Sequence, residues 1–161
     1  MTHQEGIPSL RHVARRAAWV MLLAVGVWAM AWPALSQPQA CSTPLPSDAV
    51  IPPPAKADGT DTFLGLWGNG KWQGVLCHTL LVESLAADGT ASVVYSHGVH
   101  QPWNIRAPGF VRVTGMVKDG TLALTLPNGR NGAEYRLVDG ALQGTYLTQG
   151  RPVAYVKLTR H

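Results

Sequence analysis

Three Asp-Gly dipeptides, Asp88-Gly89, Asp119-Gly120 and Asp139-Gly140, punctuate the second half of the chain between short runs rich in Val, Leu, Thr and Tyr. Asp and Gly tolerate the positive φ of a tight type I′ turn, so each dipeptide is expected to fold the chain back as a hairpin. Asn128-Gly129 through Asn131-Gly132, and Gln149-Gly150, supply two further turns. No segment sustains a helical period. Strands are expected at 72–86, 90–98, 109–118, 121–127, 133–138, 141–148 and 152–160, with a piece at 62–67 that is either an eighth strand or a bent extension of the first. Strands joined by tight turns pair as antiparallel neighbours. The expectation is therefore all-β: one antiparallel up-and-down meander of seven to eight strands that closes into a small barrel and so removes its edges.

Alternation assigns faces. Trp72, Leu76, His78, Leu80 and Val82 share one face of the first strand, opposite Gln73, Cys77, Thr79 and Glu83. Ala91, Val93, Tyr95 and His97 are the inward set of the second strand. The third strand is ambiguous, because Phe110, Arg112, Thr114 and Met116 on one face are no more apolar than Val111, Val113 and Val117 on the other. Leu122, Leu124 and Leu126, then Tyr135 and Leu137, then Leu142, Gly144 and Tyr146 continue the inward series. Register about a two-residue turn at Asp88-Gly89 sums to about 177, which sets His78 beside Val99 or His100.

The N-terminal part reads differently. Arg11, Arg15 and Arg16 precede an unbroken apolar run from Ala17 to Trp32, Pro33 breaks it, and Ala34-Leu35-Ser36 offers small residues to a signal peptidase. Residues 1–36 are expected to be a signal peptide cleaved after Ser36; an uncleaved anchor is the alternative, since the run falls only a little short of the ~20 residues a membrane span needs. Residues 37–60 are rich in Pro, Ser and Ala and form a flexible leader tied to the rest only through Cys41. The domain proper is expected over 61–161. Of the 13 Lys and Arg and nine Asp and Glu, Arg11, Arg15, Arg16 and Glu5 precede Gln37, leaving ten basic against eight acidic residues. That balance argues against a nucleic-acid partner. The membrane is met only through the signal segment before cleavage. Cys41 and Cys77 are the two cysteines, and in an oxidising compartment they are expected to pair; lipidation of Cys41 is the alternative.

Gly65-Leu66-Trp67, Gly70-Lys71-Trp72 and the C-terminal Arg160 give the chain a resemblance to the calycin barrels, the lipocalin, fatty-acid-binding and avidin type. Both Gly-x-Trp matches fit the group's first strand, and Arg160 fits the basic residue that lies across its Trp. The resemblance implies a closed barrel that binds a small ligand, with Trp67, Trp72 and Arg160 in structural roles. In physical terms, a Trp at the barrel base buries a large area and an Arg on its face adds a cation–π contribution of about 0.5 to 2 kcal/mol.

The chemistry-bearing residues are few. His78, His97 and His100 are expected near one barrel end, where three imidazoles could hold zinc or copper. However, His-x-x-His on an extended chain sends its rings to opposite sides, so polar lining is preferred and neither metal nor cofactor is expected. Ser96 beside His97 and Cys77 beside His78 face opposite ways as strand neighbours, no Gly-x-Ser-x-Gly elbow occurs, and no catalytic residue is assigned. The loop over 97–110 is the longest connection and carries Trp103 and Arg106; at a barrel mouth it is either a binding loop or a plug. The expected ligand-binding set is His78, Tyr95, His97, His100, Trp103, Arg106, Arg112 and Tyr146. The expected partner is a small, partly apolar molecule or, alternatively, a periplasmic protein met by a non-catalytic inhibitor or interaction module.

Overall fold

The computed structural model describes Cys41, residues 43–53 and residues 63–161. The expected signal segment and the remainder of the leader lie outside the described residues.

Eight antiparallel strands close into one barrel in sequence order: β1 (Gly65–Trp72), β2 (Leu76–Leu85), β3 (Thr90–His97), β4 (Gly109–Lys118), β5 (Thr121–Thr125), β6 (Asn131–Val138), β7 (Ala141–Thr148) and β8 (Arg151–Arg160). The meander forms because most of its turns are local and strand-matched. Asp119-Gly120, Asp139-Gly140 and Gln149-Gly150 each place both residues at positive φ, the requirement of a type I′ turn. The expected single strand over 72–86 is in fact two. Gln73 and Gly74 take φ of 49° and 74°, and the amides of Gly74 and Val75 bond the carbonyls of Lys71 and Trp72, so the chain reverses there. The piece before it is the eighth strand.

The β2–β3 register also departs from expectation. At Asp88-Gly89 only Gly89 has positive φ, Thr90 N donates to the Asp88 carboxylate, and Ala86 and Thr90 close a longer loop. A bulge between Val82 and Ser84 then shifts the pairing once more. His78 consequently lies opposite His97 instead of His100.

The core is the barrel interior. Trp67, Trp72, Leu80, Val82, Val93, Leu122, Tyr135, Leu142 and Leu158 are fully buried. β4 turns Val111, Val113 and Val117 toward that core and leaves Phe110, Arg112, Thr114 and Met116 exposed, which resolves the ambiguous strand. Leu137, expected inside, is 37% exposed near the end of β6, where the barrel no longer covers it.

Connections alternate between two ends. The Asp-Gly turns gather at one, together with Phe63 and the chain's last residues. There Trp67 Nε1 donates to the Phe63 carbonyl at 2.8 Å, and the Arg160 guanidinium lies 4.1 Å over the Trp67 ring while donating to the Leu64 carbonyl. Of the two Gly-x-Trp matches, Trp67 is the one beneath Arg160. This end is sealed.

Leader residues lie against the outer surface. A disulfide joins Cys41 to Cys77 on β2 with a Cα–Cα distance of 5.2 Å. Three further contacts correct the expectation that Cys41 is the only tie: Ser96 Oγ donates to the Pro44 carbonyl, Val50 N donates to Glu83, and Asp48 pairs with Arg112. Leu81 and Val94 project outward from β2 and β3 yet are fully buried, as befits residues beneath this strap.

Candidate ligand-binding site

The other end, formed by the Gln73-Gly74 turn, the 98–108 loop, the 126–130 turn and the Gln149-Gly150 turn, is open. Inside it is a cavity of about 710 Å³, within the usual range of roughly 300 to 1,000 Å³ for small-molecule sites. β1 and β2 contribute Trp72 and Leu76, β3 contributes Tyr95 and His97, β4 contributes Val111, and β8 contributes Val153 and Ala154. Tyr146 of β7 and Leu126, Pro127 and Asn128 after β5 complete the wall, while Trp103 and Ile105 reach it from the long loop. Among the described residues, no Lys, Arg, Asp or Glu lines it.

The long loop has its own order. His100 and Ile105 exchange backbone hydrogen bonds of 2.9 and 3.2 Å around a 3₁₀ turn at Gln101–Trp103, with Asn104 in the left-handed region. This small hairpin presents Trp103, 43% exposed, toward the cavity. The His100 ring meets Trp103 edge-on at 4.8 Å, and its buried Nδ1 has no hydrogen-bond partner among the described residues.

Below the cavity is an aromatic cluster. The Trp72 ring centre is 5.1 Å from His78, 6.2 Å from Tyr135 and 5.7 Å from Tyr146, and His78 lies 4.4 Å from Tyr95. His78 is fully buried, with Nδ1 2.7 Å from the Ser96 carbonyl and Nε2 2.8 Å from the Tyr135 hydroxyl. A carbonyl only accepts, so Nδ1 carries the proton and Nε2 accepts from Tyr135. Burial drives the His78 pKa down to about 3, so the ring is neutral. The Tyr95, Tyr135 and Tyr146 hydroxyls are pushed upward, chiefly by burial, and remain protonated.

Of the eight expected ligand-binding residues, the cavity gathers Tyr95, His97, Trp103 and Tyr146. His78 lies behind the wall, held in the core by its two hydrogen bonds. His100 backs the loop. Arg106 is exposed and bonds Asn104 at 3.2 Å. Arg112 is on the outer face, 2.8 Å from Glu83 and 3.3 Å from Asp48, and those carboxylates raise its pKa while being held low themselves. The three-histidine cluster does not form: the β2–β3 register separates His100 from the other two, and among the described residues no three His, Cys, Asp or Glu side chains are placed to hold a metal.

Trp72, read from sequence as structural only, belongs to both the core and the cavity wall. Its place at the end of β1 makes it so, and the missed reversal at Gln73-Gly74 hid that end. Val153 and Ala154 are the inner wall's share of β8, a strand whose faces the sequence reading left unassigned. Comparison with protein-family models, curated protein sequences and solved structures finds no match.

Proposed function

We propose that this protein is an exported carrier, periplasmic or secreted, that binds a small, partly apolar molecule in the open end of its barrel. One observation carries the reading: a cavity of about 710 Å³ with aromatic and aliphatic walls, a few polar heads and, among the described residues, no Lys, Arg, Asp or Glu. Sites for small molecules have this character, with apolar area supplying affinity and a few polar groups supplying orientation. The disulfide favours an oxidising compartment. The likeness to calycin barrels in Gly65-Leu66-Trp67 and Arg160 points the same way. A non-catalytic role suits a wall whose titratable groups are His97 and two phenols held protonated, with no carboxylate to act as a base.

Native mass spectrometry of the protein purified from its own compartment, before and after denaturation, tests the reading. A bound species of a few hundred daltons that is lost on denaturation is the expected result. A bare mass, combined with no binding of apolar probes, would sink it and turn attention to an interaction module working through the barrel's outer surface.

A further inference from the structure

Just behind the inner wall of the cavity lies a polar atom that the protein meets only imperfectly. Trp72 is 1% exposed, and its Nε1–H, which can only donate, has no partner in hydrogen-bond geometry among the described residues. The polar neighbour of that indole is the Tyr95 hydroxyl, itself on a side chain 5% exposed. A buried donor without an acceptor is costly, and buried polar groups are almost always matched. Both side chains line the cavity, with Tyr146 beside Trp72 and the Trp103 indole across the mouth.

Resting on the carrier reading, we propose that the Trp72 and Tyr95 end of the cavity receives the carbonyl, or an equivalent neutral acceptor, of an uncharged aromatic ligand. The acceptor takes hydrogen bonds from the Trp72 indole and the Tyr95 hydroxyl, and a small turn of the Tyr95 ring opens the enclosed Nε1 to it. The ligand is uncharged at this end because neither Trp72 nor Tyr95 could compensate a desolvated charge there. It is aromatic because the ring edges and faces of Trp72, Tyr95, Trp103 and Tyr146 surround the space it enters.

Two probes of closely similar size separate the terms: 2-acetylnaphthalene and 2-isopropenylnaphthalene, in which a CH₂ replaces the carbonyl oxygen. A wall without donors prefers the hydrocarbon, since the ketone must give up its hydration. The wall described here is expected to bind the ketone roughly fivefold more tightly. In ¹⁵N-labelled protein the Trp72 indole N–H resonance should move downfield with the ketone and stay in place with the hydrocarbon. Tyr95→Phe is expected to reduce the ketone's preference over the hydrocarbon toward parity. The resonance shift is read on the unaltered chain, so the test survives if that variant folds poorly. Equal or tighter binding of the hydrocarbon, with the indole resonance unmoved, overturns the acceptor site and leaves the carrier reading standing. Failure of both probes to bind overturns both.

Discussion

His78 is neutral in the barrel because its hydrogen bond to the Ser96 carbonyl only partly offsets the loss of water: burial holds its pKa near 3, against 6.5 for an unburied histidine. Between those two values the unfolded chain binds a proton that the folded chain refuses. Stability is therefore complete above pH 6.5 and falls as pH drops from 6.5 toward 3. The Glu83, Asp48 and Asp88 carboxyls are held low in the fold, so their contributions are lost only near and below 4.5 and 3.8. The span from pH 6.5 to 5.5 separates the histidine from those carboxyls. Urea unfolding across it should show a loss of about 1 kcal/mol, and His78→Gln, less stable throughout, should be flat there. A flat profile in the unaltered protein would mean that the imidazole is not buried neutral. Arg112 gives the complementary case. Its guanidinium faces the strap outside the barrel, so Arg112→Ala should leave probe affinity unchanged while exposing the strap to faster proteolysis. Weakened probe binding in that variant would contradict the assignment of β4's faces.

Among the elements, the bulge in β2 has the widest consequences. It leaves Glu83 on the outer face that alternation already gives it, where the carboxylate accepts from Val50 N, Ser92 Oγ and Arg112, and it turns Ser84 outward and Leu85 toward the core. It also sets the register that separates His100 from His78. The outward place of Glu83 was legible from alternation; the shifted register was not, because a bulge at Glu83 has no residue signature in the sequence. The turn at Gln73-Gly74 differs: the same dipeptide at Gln149-Gly150 reads correctly as a turn, and the two adopt φ pairs of 49° and 74°, and 52° and 73°. It was legible, but the apolar alternation through Trp72, Leu76, His78 and Leu80 runs across it and simulates one long strand. The meander, its closure and the cavity residues Tyr95, His97 and Tyr146 followed from turn chemistry and alternation, and Trp103 from the length of its loop. The strap did not, because a Pro-rich segment without periodicity carries no sign of what it will lie against. Its disulfide closes a 36-residue separation, which on loop-closure grounds contributes about 2 to 4 kcal/mol. Replacing Cys41 and Cys77 together by Ser should cost that much in chemical unfolding while leaving the far-ultraviolet circular dichroism of the barrel intact, since all the strand pairing lies within residues 65–160. Loss of the β signal would make the strap part of the folding unit.

At the scale of the whole molecule, the barrel divides its tryptophans between two tasks. Trp67 at the sealed end is fully buried, bonded to Phe63 and covered by Arg160, so its burial is complete without any ligand. Trp103 at the open end is 43% exposed on a loop hairpin outside the core cluster, so the folded protein gains little from it. Opposite effects follow for the two positions. Trp67→Phe removes a buried hydrogen bond and part of a well-packed ring, and should lower stability by about 1 to 3 kcal/mol without altering binding of a neutral fluorescent ketone such as 6-propionyl-2-dimethylaminonaphthalene. Trp103→Ala should change stability by less than about 0.5 kcal/mol. It should nevertheless weaken that ketone about tenfold, because roughly half an indole face is covered only when the cavity is filled. The emission of the bound ketone should also move to longer wavelength in this variant, as water reaches a cavity whose cover is gone. If Trp103→Ala instead destabilised the barrel and left affinity untouched, the loop would be a plug that completes the core, and the open end would not be a binding mouth.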